Sequence, residues 1–111
     1  MIEIVVRSFL EERLKVPVYM EFPSERITRF VVLRKANTDR ENLIDGAQFV
    51  AESYEESLLK AAELNELVKS CADNLTDLDT VAAVERGGDY PAFDQTNKRY
   101  RYQAIFNITH Y

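Results

Sequence analysis

At 111 residues and 12.9 kDa, with 46% hydrophobic and 30% charged residues and only three prolines and three glycines, the chain has material for one compact domain and not two. Leu, Ile, Val and Phe together number 32, enough apolar surface to offset the entropy of ordering, which excludes disordered, fibrous and collagen-like readings. The net charge of −5 is uneven: residues 1–35 carry +2, residues 36–96 carry −10 and residues 97–111 carry +3, and so acidic a middle disfavours sequence-specific binding to phosphate backbones.

Residues 2–15 set Ile2, Val5, Val6, Phe9, Leu10 and Leu14 at helical spacings against Arg7, Glu11, Glu12 and Lys15, which predicts an amphipathic helix. Glu3 and Arg7 interrupt this segment where a secretion signal needs an unbroken apolar run, and no run approaches the length of a membrane span, so a cytoplasmic protein is expected. Pro17 stops the helix by removing a backbone donor and constraining the residue before it. A strand at 18–22, a turn at Pro23-Ser24 and a β-branched, aromatic strand at 27–34 are expected to form a hairpin. The polar stretch from Lys35 to Asp45 predicts an exposed loop, followed by a strand at 46–52. Ser53-Tyr54-Glu55-Glu56 has the Ser-x-x-Glu form of a capping box, in which two side chains satisfy orphaned backbone donors, and predicts a helix over 54–74. On that helix Leu58, Ala61, Ala62, Leu64, Val68, Cys71 and Ala72 share one face, and Asn74 ends it.

A strand at 78–86 and a two-aromatic loop, Gly87-Gly88-Asp89-Tyr90-Pro91-Ala92-Phe93-Asp94, come next. The closing strand runs from Lys98 to His110, where Tyr100, Tyr102, Ala104, Phe106 and Ile108 alternate with Arg99, Arg101, Gln103, Ile105 and Asn107. The order α-β-β-β-α-β-β predicts an α+β domain at 1–111: a mostly antiparallel sheet of four to five strands with both helices on one face. No linker, repeat or low-complexity tract is visible.

Chemistry has little to work with. The single cysteine, Cys71, falls on the inward face of a helix and the single histidine, His110, lies beside the end of the last strand. A buried small thiol and a terminal imidazole describe them better than a nucleophile and base. The pairs Glu55/Glu56 and Asp77/Asp79 read as solvated surface rather than as a metal or acid–base site. Gly87-Gly88 lies between two strands and lacks a following Lys-Ser or Lys-Thr, so it reads as a turn and not a phosphate loop. Lys98-Arg99-Tyr100-Arg101-Tyr102 mixes cations with aromatics as single-strand platforms do, but alternation sets both tyrosines opposite the arginines and favours packing. Tyr90 and Phe93 on a glycine-rich loop are costly to leave in water, and either fold back or dock on a partner. No catalytic, cofactor-binding or metal residues are expected, and no cofactor.

Several segments together carry a resemblance. They are an opening helix, Pro17-Val18-Tyr19-Met20-Glu21-Phe22-Pro23, the strand Thr28-Arg29-Phe30-Val31-Val32-Leu33, the pair around Ala47-Gln48-Phe49-Val50-Ala51-Glu52-Ser53-Tyr54 and Ala61-Ala62-Glu63-Leu64, and Asp89-Tyr90-Pro91-Ala92-Phe93-Asp94 followed by Arg99-Tyr100-Arg101-Tyr102-Gln103-Ala104. Over nearly its whole length the chain resembles the tail terminator, or tail-completion, proteins of long-tailed bacteriophages, a family of minor capsid and head-tail joining proteins. The resemblance implies a structural virion protein and not an enzyme. It implies a ring, commonly a hexamer, at the head-proximal end of the tail tube, halting tube growth and joining tail to head. The implied partners are further copies of the chain, the tail tube protein and the head-connector or stopper protein, with DNA only as passing cargo and no membrane. The implied location is the host cytoplasm during assembly and then the tail or neck of the virion. An acidic channel wall suits such passage, since like charge repels phosphate.

Candidate contacts with neighbouring subunits or the tube are Asp39, Arg40 and Glu41 in the first polar loop, and Arg86, Asp89, Tyr90, Phe93 and Arg99 in and around the second. The alternative from another class is a small acidic cytoplasmic adaptor or inhibitor that binds a basic partner through its acidic surface. A small enzyme built from Asp/Glu, Tyr and Arg stands third.

Overall fold

The computed structural model describes the chain apart from residues 42 and 43, and the side chains of residues 39–44 also lie outside the described set. Helix α1 (Ile2–Leu14) forms where the sequence predicts it and buries Val6, Phe9 and Leu10, which recur on one face about a turn apart. It ends where Lys15 turns left-handed, φ 58°, and gives its amide to the Glu11 carbonyl. The Glu11 carboxylate then accepts the Val18 amide at 2.9 Å, which fixes the exit of the chain beyond Pro17.

The hairpin expected over 18–34 does not form. Strand β1 is only Val18–Tyr19 and runs parallel to β2 (Phe30–Glu41), with Val18 beside Val31. The segment between them folds across the sheet instead, so that Phe22 and Ile27 cover Phe30 and Tyr54. A tight turn at Pro23-Ser24 would forfeit that apolar burial.

Where an exposed loop is expected from Lys35 to Asp45, residues 35–41 and 44–45 are strand, and residues 42 and 43 lie outside the described residues. β2 and β3 (Ile44–Glu55) pair antiparallel from Phe30 and Tyr54 out to Glu41 and Ile44, with a bulge between Lys35 and Asn37. The segment is polar because it lies at the outer reach of the sheet, where Lys35, Ala36, Asn37 and Thr38 are all exposed. Backbone pairing rather than an apolar face makes it a strand there.

At its other end β3 runs through Glu55, which overturns the capping box at 53–56. Ser53 and Tyr54 are buried strand residues paired with both β2 and β5, and Glu55, also buried, pairs with Tyr100 of β5. The helix starts later, as α2 (Leu58–Asp73), with Ser57 as its N-cap accepting the Lys60 amide at 3.2 Å. Ala61, Leu64, Val68 and Ala72 are buried as expected, Leu58 is exposed, and Asn65 takes an inward place. Asn74 closes the helix and a 3-10 turn (Asn74–Asp77) leads on.

β4 (Val81–Pro91) continues through the expected turn, and Gly87-Gly88 fall in a bulge between Arg86 and Asp89. β5 (Tyr100–His110) buries Ala104, Phe106 and Ile108, but Tyr102 is half-buried and Tyr100 exposed, so the expected apolar face fades toward the start of the strand.

The sheet order is β1-β2-β3-β5-β4, every pair antiparallel except the first, and the α+β class and element order are those expected. Both helices cover one face, where Val6, Leu10, Leu64 and Val68 meet Leu33, Phe49, Phe106 and Ile108. A second, smaller core of Phe30, Val32 and Tyr54 forms on the helix-free face under Tyr19, Phe22 and Ile27. There the Phe30 and Tyr54 rings stack with centroids 4.6 Å apart.

Candidate interaction surfaces

The helix-free face holds the densest polar arrangement. Glu52, 3% exposed, accepts from Arg34 Nε at 2.7 Å, Arg101 Nη1 at 2.9 Å and Gln103 Nε2 at 2.8 Å. Cross-strand register explains the convergence, since Glu52 stands opposite Gln103 on one side and Val32 on the other. Beside it Asp94, also buried, accepts from the Tyr54 hydroxyl at 2.8 Å, from Asn97 Nδ2 at 2.8 Å and from the Asn97 amide at 3.1 Å. Arg101 further donates through Nε to the Ala92 carbonyl at 2.8 Å, so the connection between β4 and β5 is strapped to the sheet.

Burial pushes the Tyr54 phenol up to about 12, and its bond to Asp94 adds to the rise. Burial also pushes the Asp94 carboxyl upward, but the hydrogen bonds from Asn97 and Tyr54 and the charge of Arg101 outweigh it and hold the group below its ordinary value. Neither group exchanges protons near neutral pH, so the pair fits a strut better than an acid–base couple. The alternation of the closing strand sets Arg101 and Gln103 on its polar side but does not reveal this network. Its sequence signal was the Asp94-x-x-Asn97 turn and the alternation of Phe30, Val32 and Arg34.

Three of the proposed contact residues are already engaged within the chain. Arg86 forms a bidentate pair with Asp73 on α2, Nε to Oδ1 at 3.0 Å and Nη2 to Oδ2 at 2.6 Å. That hydrogen bonding lowers the Asp73 carboxyl and raises the arginine. Asp89 accepts from Lys69 Nζ and Asn65 Nδ2, each at 2.9 Å, and the Lys69 bond is the main cause of its lowered carboxyl. Arg99 donates to the carbonyls of Ile27 at 3.0 Å and Thr28 at 2.8 Å with its guanidinium over the Phe30 ring. These side chains join α2 to β4 and the 20–29 segment to the start of β5.

Tyr90 and Phe93 are the exposed pair, at 46% and 42%. Phe93 meets Tyr100 edge-on with centroids 5.4 Å apart. Phe93 and Tyr100 thus form an exposed aromatic pair where β4 passes to β5, whereas Tyr90, paired with Gln103, lies on the helix-free face by register. The backbone of Asp39, Arg40 and Glu41 pairs with Gly46, Asp45 and Ile44 near the far end of the sheet, and their side chains lie outside the described set.

Cys71 packs half-buried against the main core with its thiol raised by burial. His110 ends β5 with Nδ1 3.3 Å from the Tyr111 carbonyl. No group of three or more His, Cys, Asp or Glu among the described residues could hold a metal ion. Among the described residues no helix is long and apolar enough to cross a membrane. An open groove of about 440 Å³ runs between the 22–28 segment and Asn97 and Arg99. No protein-family model matches the chain, and no curated protein matches its sequence.

Proposed function

We propose that this chain is a ring subunit at the head-proximal end of a bacteriophage tail tube, where it ends tube growth and joins the tail to the head. The observation that carries the reading is the shape and exposure of the sheet. The domain measures 42 × 24 × 24 Å. Strand β3, with 12 residues, spans about 40 Å of that long axis. Helix α2, with 16 residues, covers only about 24 Å. The sheet therefore reaches past its helical cover, and among the described residues both outer strands are open along much of their length. An isolated monomer has to guard such edges, whereas a subunit between two neighbours uses them.

The acidic middle of the sequence, the exposed Phe93–Tyr100 pair and the exposed Tyr90 ring supply further surface for neighbours. The side-chain network of Glu52, Arg101 and Asp94 gives the connection that bears Phe93 a rigid base.

The test is electron microscopy of particles made after deleting the gene from its native genome. Filled heads without tails, together with tubes of abnormal length, are the expected result, because growth loses its stop and its joint. Normal tailed particles, or no particles under any condition, overturn the reading and leave the acidic surface to be tested against basic partner proteins.

A further inference from the structure

The sheet ends on two strands whose outer edges are open. β4 is the last strand on one side. On the other side β1 covers β2 only at Val31 and Val32, so β2 beyond Leu33 has no outer strand among the described residues. Tracing the ladders across the sheet puts the two open stretches at the same height. Lys35 pairs with Phe49, Phe49 with Phe106 and Phe106 with Arg86; Thr38 leads likewise through Ala47 and Ile108 to Val84. The bulge at Gly87-Gly88 interrupts β4 between the levels of Lys35 and Leu33, close to where β1 begins to close the edge of β2. Between its two bulges β4 is regular from Ala83 to Arg86, opposite the open part of β2.

Direction and charge choose the partner. The four long strands alternate in direction, so β2 and β4 run opposite ways. A second copy set beside the first in the same orientation places its β2 against β4 as an antiparallel neighbour, like every other long pair of the sheet. The β2 edge carries Arg34 and Lys35, both exposed, Arg34 on the helix-free face and Lys35 paired with Glu3 on the helical side. The regular stretch of β4 carries Glu85, exposed, on the same face as Arg34 by register and without an ion pair among the described residues. Pairing like edges by a two-fold axis would set Arg34 and Lys35 against their copies, or Glu85 against Glu85, and like charges across strands repel.

We infer that the β4 edge of this chain takes the open β2 edge of a second copy as its next strand. Main-chain hydrogen bonds join the Ala83–Arg86 stretch to the 34–41 stretch, and Glu85 lies within reach of Arg34. The inference rests on the ring reading for a neighbour in like orientation. The contact is heterologous, so its repetition closes a ring or runs on as a filament.

The test uses two single-cysteine chains on a Cys71→Ala background, one with Asn37→Cys on β2 and one with Ala83→Cys on β4, treated with a short bis-maleimide. Unchanged thermal unfolding of each variant confirms that it folds. Linkage is read on the purified chains at high concentration and on tailed particles that carry them. The mixture is expected to give a linked dimer several-fold in excess of either variant alone, and Glu85→Lys to lower that yield several-fold. Equal or greater linkage of either variant to itself overturns the inference, as does the lack of a mixed dimer both in solution and in particles. Tails completed by the chain without mixed linkage reject the edge pairing and spare the ring reading. If deletion of the gene leaves normal tails, the ring reading fails while linkage of the purified chains still decides the pairing.

Discussion

The Tyr54 hydroxyl donates to Asp94 Oδ2 across 2.8 Å, joining the middle strand of the sheet to the turn that precedes β5. The bond is buried and charge-assisted, and the Arg101 guanidinium lies 3.9 Å from the same carboxylate oxygen.

Tyr54→Phe removes that donor and keeps the ring on Phe30, so it is expected to cost about 2 kcal/mol in urea unfolding. The same variant tests the titration of the phenol. A phenol raised in the fold to about 12 favours the protonated form, so its contribution to stability is whole below the unfolded value near pH 10 and is lost as pH rises toward about 12. Unfolding temperatures followed from neutral to alkaline pH should fall in the parent more steeply than in Tyr54→Phe. Equal slopes would mean that the phenol is not held protonated by the fold.

Asp94 behaves in the opposite sense. Its carboxyl is held low, so its contribution is whole above the unfolded value near pH 4 and is lost as pH falls through the lower folded value. Asp94→Asn should flatten the acid limb of the stability profile and loosen the β4–β5 connection, seen as faster amide exchange at Asn97. An unaltered acid limb would place the acid-sensitive groups elsewhere.

Ion pairs in this fold should differ sharply in worth. Glu52→Ala leaves Arg101 and Gln103 without their acceptor under the second core and is expected to cost about 3 kcal/mol. Asp77→Asn removes the exposed 3.4 Å pair with Arg13 and should change stability by less than about 0.5 kcal/mol. Comparable losses for the two variants in chemical denaturation would contradict the burial of the network.

The two adjacent glycines offer a close comparison. A Cβ on Gly87 would stand 3.0 Å from Ile105 Cγ2 and 3.1 Å from its carbonyl oxygen, whereas one on Gly88 meets nothing within 4 Å. Gly87→Ala should cost about 1 kcal/mol, and Gly88→Ala should be neutral or slightly stabilising through the unfolded chain. The reverse order would show that the bulge is packed differently.

Tyr90→Ala with Phe93→Ala should leave unfolding within about 1 kcal/mol of the parent, since both rings are more than two-fifths exposed, while lowering the yield of completed tails. A chain that no longer folds would show the rings to be part of the core.

Periodicity made the helices and the closing strand legible, because Val6, Phe9 and Leu10, or Phe106 and Ile108, bury one face at the spacing their element requires. It failed where both faces of a strand are alike. Lys35, Asn37 and Thr38 are polar because the sheet edge there is exposed, and Ser53 with Glu56 looks like a helix cap although Ser53 is paired with both neighbouring strands. The network around Glu52 was hidden for a related reason. Arg34, Glu52, Arg101 and Gln103 stand far apart in the chain and polar alternation usually means solvent, so only the register of three strands reveals that they meet. Of the candidate contacts, Tyr90 and Phe93 could be picked out by the cost of exposing rings on a short connection, while the internal partners of Arg86, Asp89 and Arg99 come from elements with no sequence signal linking them.

Strand β5 follows β4 in the chain, yet it lies between β4 and β3. A ribosome therefore delivers β3 and α2 first and β4 next, and β3 keeps one bare side until the last of these strands arrives to fill the slot. Up to that moment the buried carboxylate of Glu52 lacks Arg101 and Gln103, and the Tyr54 hydroxyl lacks Asp94. Closure of the sheet and neutralisation of its interior charge become a single late event in biogenesis, and the nascent chain has a sticky flank for as long as that event is delayed.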